Sequence, residues 1–190
     1  CDKDWALLSG SPERLFSLVN NILSTRPIAG TKKRSPDFVL DNALCDELRL
    51  CPKENAEHAM LVDLMRNDMN QVALSPGVTI SEDRSVEFYS HVMHLVSNLE
   101  ASTNNSLKDI FKALFPGGTI SGAPKISVMK TIAELENSPR GPYTGSLGYI
   151  SSGFGVDFNI LIRSVIKTEQ KAWINAGAGI VIDSDPEQEW

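Results

Sequence analysis

The chain has 190 residues, of which 42% are hydrophobic and 22% are charged, and its net charge is −6. This length and composition suit one packed domain or part of a larger one. The acidic balance argues against broad nucleic-acid binding, which requires a basic face. No apolar run is long enough to span a bilayer, and no segment has the pattern of a signal peptide. The three cysteines, Cys1, Cys45 and Cys51, lack the spacing of a zinc or disulfide framework and predict a reduced, cytoplasmic protein.

Strand and helix patterns alternate along the whole chain. In chain order they predict strands within residues 5–19, a basic loop at 26–34, a polar segment without a predicted element at 36–52, a helix at 52–69, strands within 72–99, helices at 107–114 and 124–135, and strands at 145–150, 158–166 and 172–182. Short connections between the last three strands indicate an antiparallel meander. The predicted fold class is therefore α+β, with antiparallel sheets and flanking helices.

Two acids at the start of the helix at 52–69 are candidates for a metal site. Glu54 and Glu57 lie three residues apart and share one helix face, and Glu57 is in register with the apolar Leu61 and Leu64. Carboxylates beside a buried stripe are costly unless a cation or donors neutralise them, and Mg²⁺ prefers such oxygen ligands. The alternative is a pair of acids that the helix dipole favours in a first turn.

A glycine-rich loop, Gly117–Lys125, leads into the helix at 124–135. Helix N-termini bind anions through free backbone N–H groups, but this loop is not a Walker A motif, because Ala123 stands where that motif needs lysine. The alternative is an ordinary helix entry with Ser121 as the cap and Pro124 in the first turn.

Arg163 and a second glycine cluster suggest a site for a small anion. Arg163 lies in mid-strand among apolar residues, where it could pair with a substrate carboxylate or form a structural salt bridge. Gly177 and Gly179 alternate onto one strand face, where a ligand could approach the backbone or another element could pack closely.

Histidine and glutamate side chains complete the set of candidates. His94 is a possible general acid or a core histidine. Glu187 and Glu189, taken as isolated acids, are typical of a solvated surface.

Together these segments resemble the chorismate-utilising enzymes, specifically component I of anthranilate synthase and of aminodeoxychorismate synthase. Eight stretches match in family order over nearly the whole chain: Ser11–Glu13, Arg26–Thr31, Glu54–Asp68, His91–Ser97, Phe115–Lys125, Tyr143–Tyr149, Asp157–Arg163 and Ala176–Ser184. The resemblance implies an α/β sandwich that binds chorismate and Mg²⁺ between antiparallel sheets. Residues 1–190 would form the C-terminal portion of this catalytic domain, truncated at both ends.

The resemblance also implies roles for individual residues. His94 would act near the leaving C4 hydroxyl, and Glu13 and Thr119 would be the other catalytic residues. The substrate-binding residues would be Gly30, Thr31, Tyr143, Arg163, Gly177 and Gly179. Mg²⁺, the implied cofactor, would bridge the ring carboxylate to Glu54, Glu57 and Glu189.

The implied reaction is the amination of chorismate by ammonia from a glutamine amidotransferase partner, component II. The forms Leu64–Asp68 and Asp157–Asn159 favour aminodeoxychorismate synthase, which yields 4-amino-4-deoxychorismate for p-aminobenzoate and folate synthesis. The form Tyr89–Ser97 is similar to that of anthranilate synthase, which yields anthranilate and pyruvate for tryptophan synthesis. Ala29 stands where well-known aminodeoxychorismate synthases carry a nucleophilic lysine, so that covalent route is excluded for this chain.

Two further expectations concern the ends of the chain. The family's closing motif continues into a helix with another metal-binding glutamate and a lysine, which would lie beyond Trp190. We therefore expect this chain by itself to be inactive or nearly so. A non-catalytic fragment or binding module is the alternative from another functional class. We expect no nucleic-acid or membrane partner.

Overall fold

The computed structural model describes residues 4–182 and 184–189, the last two by their backbone alone. Within these residues the chain forms ten strands and six helices. The strands are β1 (Trp5–Ser9), β2 (Arg14–Val19), β3 (Ile22–Thr25), β4 (Ile28–Lys33), β5 (Thr79–Phe88), β6 (Val92–Ser102), β7 (Gly148–Ser151), β8 (Gly155–Asn159), β9 (Ser164–Thr168) and β10 (Ala172–Ile174). The helices are α1 (Phe38–Leu50), α2 (Pro52–Asn70), α3 (Leu107–Leu114), α4 (Gly118–Ser121), α5 (Lys125–Leu135) and α6 (Pro186–Glu189).

Seven strands form one antiparallel sheet in the order β4-β6-β3-β2-β8-β7, with β5 also paired to β6. Strand β6 is its centre. β5 runs along β6 for nearly its full length, whereas β3 pairs with residues 99–102 and β4 with residues 92–96. Since β3 and β4 occupy successive parts of one edge of β6, β5 must lie on the other edge. β6 therefore has neighbouring strands on both sides, and it holds the candidate His94 near its start.

Helices α1, α2 and α3 supply the apolar side chains that bury this sheet. The main core joins β2, β6, α2 and α3 through Leu15, Phe16, Met65, Met69, Leu99, Ile110 and Leu114. A smaller cluster joins Cys45 and Leu48 of α1 to Met93 and Leu95 of β6. The packing of α2 against β4 and β6 brings the start of that helix to the edge of the sheet.

A separate antiparallel sheet has the order β1-β9-β10. The chain leaves it after β1 and returns to it after β8, so Gly10–Glu13 and residues 160–163 both connect the two sheets. Gly10 donates its N–H to the Arg163 carbonyl at 3.2 Å, and Ile160 donates to the Glu13 carbonyl at 3.0 Å. These bonds hold the two crossing segments side by side. No helix of the described residues is long and apolar enough to cross a membrane.

The α+β class with antiparallel sheets is confirmed, and so are the helices predicted at 52–69, 107–114 and 124–135. The segment at 36–52, in contrast, holds the helix α1. Its apolar residues form no single stripe, because Phe38 is 78% exposed and only Asp41, Cys45 and Leu48 are buried. The Asp37 carboxylate caps the helix by accepting the Val39 N–H at 2.8 Å. The predicted basic loop at 26–34 contains β4.

The predicted meander of the last three strands is wrong. β7 and β8 pair in the large sheet, whereas β9 and β10 pair in the small one. Arg163 accordingly lies between β8 and β9 and not within a strand, with a φ of +48°. β10 ends at Ile174, so Gly177 and Gly179 lie beyond it and do not alternate on a strand face.

Phe16 offers a test of the main core. Its ring is fully buried and meets the Phe111 ring edge-on at a centroid distance of 5.0 Å. We expect Phe16→Ala to lower the free energy of unfolding by about 3–5 kcal/mol, because the cavity adds to the lost burial. Urea unfolding followed by circular dichroism measures the change. Phe154→Ala is the matched control, since Phe154 is 79% exposed. Equal losses in the two variants would contradict this core assignment.

Candidate active site

Strands β4 and β6 bring Thr31 and His94 together. The two residues are partners in the antiparallel register, and Thr31 Oγ1 lies 2.8 Å from His94 Nδ1. Burial lowers the pKa of His94, and the positive charge of Arg163 lowers it further, although the backbone of Gly30 and the charge of Glu87 oppose the shift. His94 is therefore a neutral imidazole near pH 7, held by a hydroxyl group on the neighbouring strand.

The two acids at the start of α2 reach the glycine segments. Gly30 has a φ of +87°, and a methyl group there would lie 3.0 Å from Glu54 Oε2. A methyl group on Gly179 would lie 3.6 Å from Glu57 Oε1. The absence of a side chain at Gly30 thus lets the Glu54 carboxylate approach the β4 backbone beside Thr31 and His94.

These carboxylates are suitable for a hard cation but do not complete a site by themselves. Among the described residues, no group of three or more His, Cys, Asp or Glu side chains is placed to hold a metal ion. The third predicted ligand, Glu189, has its backbone in α6, and its side chain lies outside the described residues. Two glutamates one helical turn apart offer the oxygen donors that Mg²⁺ prefers.

Glu13 is a buried carboxyl group on the segment that connects β1 to β2. Its pKa is raised because burial disfavours the charged form, while the Thr119 hydroxyl and the Arg163 charge partly oppose the rise. The Glu13 N–H donates to Ser11 Oγ at 3.3 Å, which fixes the backbone of this turn. Glu13 therefore keeps its proton to a higher pH than an exposed glutamate.

The start of helix α4, which carries Thr119, is packed tightly against Ile160 after β8 and against α2. A methyl group on Gly117 would lie 2.7 Å from Ile160 Cδ1, and one on Gly118 would lie 2.7 Å from Leu64 Cδ2. Thr119 Oγ1 is buried and has no hydrogen bond of normal geometry to the described residues, although its hydroxyl faces Glu13. Glycine is therefore required here for close approach, and the approach leaves one hydroxyl group available beside Glu13.

Lys125 binds a carboxylate of the protein and does not point to an anion site. Its Nζ lies 2.6 Å from Asp68 Oδ2, and both side chains are largely buried. Ser121 donates to the Gly117 carbonyl at 3.1 Å and does not cap α5. This ion pair ties the segment 117–125, which includes Thr119, to α2. The sequence offered one indication of it, since Asp68 follows Leu61, Leu64 and Met65 on the apolar face of α2 and must have a partner there.

Arg163 supplies positive charge that acts on both Glu13 and His94. It influences the pKa values of both groups, and no ion pair or hydrogen bond of its guanidinium is found in the described part of the chain. Its backbone is instead tied to Gly10 across the two crossing segments. Arg163 is exposed, so its guanidinium can donate hydrogen bonds to the carboxylate of a ligand.

Tyr143 lies beside the second glycine segment. A methyl group on Gly177 would lie 3.0 Å from the Tyr143 hydroxyl oxygen. The Tyr143 loop is joined to the segment before Arg163, because Thr144 donates its N–H to the Leu161 carbonyl at 2.9 Å. The predicted substrate-binding residues Tyr143, Arg163 and Gly177 thus come from neighbouring segments.

Two cavities border these residues. One of about 340 Å³ is lined by Glu13 together with polar groups that include Arg14, Arg26, Tyr89 and Asp157. Another of about 570 Å³ lies between α5 and residues 136–145, and its mainly apolar wall includes Tyr143. Of the predicted site residues, Glu13 lines the smaller, polar cavity, and Tyr143 lines the larger one.

The sequence as a whole matches known proteins. Residues 1–190 match the family model described as chorismate binding enzyme. The chain is 47% identical over 189 residues to aminodeoxychorismate synthase component 1 of Bacillus subtilis, covering 98% of this chain and 40% of that protein. It is 46% identical over 186 residues to anthranilate synthase component 1 of Aquifex aeolicus, covering 97% and 38%. The chain thus spans about two fifths of the length of these relatives.

Solved structures show the same fold. Anthranilate synthase component I from Streptococcus pneumoniae superposes with a TM-score of 0.88 at 41% identity, covering 98% of this chain and 41% of that one. The isochorismate synthase MenF of Escherichia coli superposes with a TM-score of 0.88 at 29% identity, covering 100% and 44%. Family match, sequence identity and fold agree, and the chain therefore belongs to the chorismate-binding enzyme family.

Proposed function

We propose that this chain carries the catalytic part of an aminodeoxychorismate synthase component I. The whole protein would replace the C4 hydroxyl of chorismate with ammonia from a glutamine amidotransferase, giving 4-amino-4-deoxychorismate. The observation that carries the proposal is the group of Glu13, His94 and Arg163, in which the charge of Arg163 acts on a carboxyl of raised pKa and on an imidazole of lowered pKa. The 47% identity to the Bacillus subtilis protein supports the amination reaction.

Substrate binding follows from charge. Chorismate is a dianion, and the Arg163 guanidinium can hold its pyruvyl carboxylate with two parallel hydrogen bonds. The Tyr143 hydroxyl adds a donor beside Gly177, and the bare backbone at Gly177 and Gly179 lets the ligand lie close. Gly30 and Thr31 would line the ring pocket next to His94.

Glu54 and Glu57, joined by Glu189, would hold Mg²⁺ in this proposal. The donor set fits, because Gly30 leaves room for the Glu54 carboxylate and all three ligands are oxygen donors. When bound, Mg²⁺ would neutralise the ring carboxylate and stabilise negative charge as the hydroxyl departs.

The pKa directions favour Glu13 over His94 as the proton donor. A general acid must carry its proton at the working pH, and the raised pKa of Glu13 favours this, whereas the lowered pKa of His94 leaves a neutral ring. Glu13 would protonate the C4 hydroxyl, which leaves as water when ammonia adds to C4. The surplus proton of the added ammonium then returns to the Glu13 carboxylate. His94 would orient the hydroxyl, held in turn by Thr31.

Ala29 supports direct addition of ammonia. It lies in β4 next to Gly30, is only 6% exposed, and has no nucleophilic group. No covalent substrate adduct at this position is therefore part of the proposal.

Anthranilate synthase is the second candidate, favoured by the 46% identity to the Aquifex aeolicus protein and by the Tyr89–Ser97 form. Glu13, His94 and Arg163 would have the same roles in that reaction, but ammonia would add at C2 and pyruvate would leave. A non-catalytic binding module is the third candidate, and the preserved cluster around Arg163 argues against it.

The products of the full-length protein distinguish these candidates. We expect chorismate, Mg²⁺ and ammonium to give aminodeoxychorismate, which an added lyase converts to p-aminobenzoate. Chromatography with authentic standards is the measurement. Anthranilate with pyruvate would establish the second candidate, and no consumption of chorismate would support the third.

Glu13→Gln tests the proposed acid. We expect kcat to fall by about 10²–10⁴-fold, because the amide cannot deliver a proton. In the unsubstituted protein, activity should fall as the pH rises through the raised pKa of Glu13. The folded state also binds more protons than the unfolded one in this range, so the free energy of unfolding attributable to Glu13 should decrease as the pH rises from the ordinary glutamate pKa to the raised one.

Rate profiles and urea unfolding at several pH values measure both effects of Glu13. Glu134→Gln is the control, since Glu134 is an exposed acid on α5. A Glu13→Gln protein that keeps the kcat and pH profile of the unsubstituted protein would exclude Glu13 as the acid.

Arg163→Lys tests carboxylate binding. Lysine keeps the charge but loses the bidentate geometry, so we expect the KM for chorismate to rise by about 10–100-fold. Steady-state kinetics of the full-length protein gives the value. Arg66→Lys is the control, because Arg66 forms an exposed ion pair with Asp63. If the KM of Arg163→Lys equalled that of Arg66→Lys, Arg163 would not be the residue that binds the pyruvyl carboxylate.

A further inference from the structure

The placement of Glu54 and Glu57 relative to His94 depends on how α2 lies on β6. Apolar contacts between the two elements, such as Met65 with Leu99 in the main core, are attractive but not directional. They leave a helix able to slide or turn slightly on a sheet. A metal site needs ligands held within about half an ångström, so a directional contact near the start of α2 is required.

His58 provides such a contact. It follows Glu57 on α2, one turn after Glu54, and it is 0% exposed. Its Nε2 lies 2.7 Å from Ser97 Oγ on β6, and Ser97 is also fully buried. Ser97 lies three residues after His94, so strand alternation directs it to the helix side of β6, opposite to His94.

The bulge in β5 holds Ser97 from the other side. The Arg84 N–H donates to Ser97 Oγ at 2.9 Å, and Ser97 Oγ lies 3.3 Å from Asp83 Oδ1. Arg84 has a φ of +47°, and the register between β5 and β6 shifts at this point. A non-glycine residue in this conformation is strained and persists only where its surroundings determine it. The backbone is thus bent so that Ser97 has partners on both sides.

A purely structural core would not need this arrangement. Within the described residues, the bond to Ser97 is the side-chain hydrogen bond of normal geometry that orients the fully buried His58 ring, and the Ala29 backbone lies near its other nitrogen without such a bond. An apolar side chain of similar size would avoid the desolvation cost. The bond therefore has a function in orientation that packing does not supply.

We propose that the His58–Ser97 hydrogen bond is a positioning contact that fixes the start of α2 on β6 and so sets Glu54 and Glu57 for divalent-cation binding. His58 does not touch substrate or metal in this proposal. It acts through the helix that carries the two carboxylates. The inference rests on the proposed metal site, and it names residues outside the candidate ligands.

Binding of Mn²⁺ to the full-length protein, followed by electron paramagnetic resonance of the free ion, tests the proposal without catalysis. We expect Ser97→Ala and His58→Leu each to weaken Mn²⁺ binding by about 10–100-fold, as residues that orient metal ligands do. His58→Gln should restore most of the affinity, since its amide nitrogen reaches the position of Nε2. Ser24→Ala is the matched control, because it removes the 2.8 Å Ser17–Ser24 hydrogen bond within the same sheet.

The outcomes separate this inference from the proposed function. If the unsubstituted protein does not bind Mn²⁺, both the metal site and its positioning contact are wrong. If that protein binds Mn²⁺ and Ser97→Ala binds it equally well while its unfolding midpoint falls, His58 and Ser97 are structural and only this inference is overturned. Failure of His58→Gln to exceed His58→Leu would also overturn it. Should Ser97→Ala not fold, Ser97→Cys keeps the volume with a weak donor, and the same loss is expected.

Discussion

The packing of α2 across β4 and β6 is the constraint on which the rest of the site depends. The helix carries Glu54 and Glu57 at its start, and its middle and end contribute Met65 and Met69 to the main core. Burial of that apolar face supplies the attraction, while Gly30 supplies the clearance, because any side chain there would collide with Glu54 and Leu48. Hydrophobic packing and one missing side chain together bring carboxylates to the strand pair that holds Thr31 and His94.

Arg163 organises the electrostatics of the same region. It lies where the chain crosses from the large sheet to the small one, close enough to Glu13 and His94 to lower the pKa of each. Burial acts on the two groups in opposite directions, since it raises the pKa of an acid and lowers that of a base. Burial therefore disfavours the charged form of both groups, and the exposed Arg163 can attract an anionic ligand.

The division of the strands between two sheets explains why the site lies where it does. Two segments connect the small and the large sheet, Gly10–Glu13 and residues 160–163. They run side by side and are joined by hydrogen bonds. Residues in these connecting segments are not bound to the strand alternation of a sheet, so side chains from both segments can point to the same region. Glu13 and Arg163 come from the two connecting segments, and Thr119 comes from α4, in the segment 117–125 that the Lys125–Asp68 ion pair ties to α2.

The α+β class, the helices α2, α3 and α5 and the family could all be predicted from the sequence, which also supplied the candidate site residues. Periodic apolar residues and glycine-rich turns are local patterns, and the motifs occur in family order, so none of this required contacts between distant residues. The helix α1 was missed because only Asp41, Cys45 and Leu48 face inward and its other apolar residues are exposed. The positions of three contacts became known only from the fold: Arg163 lies between β8 and β9, Lys125 binds Asp68, and His58 bonds to Ser97. Each of these facts depends on which segments lie side by side, and side-chain spacing along one segment carries no information about that.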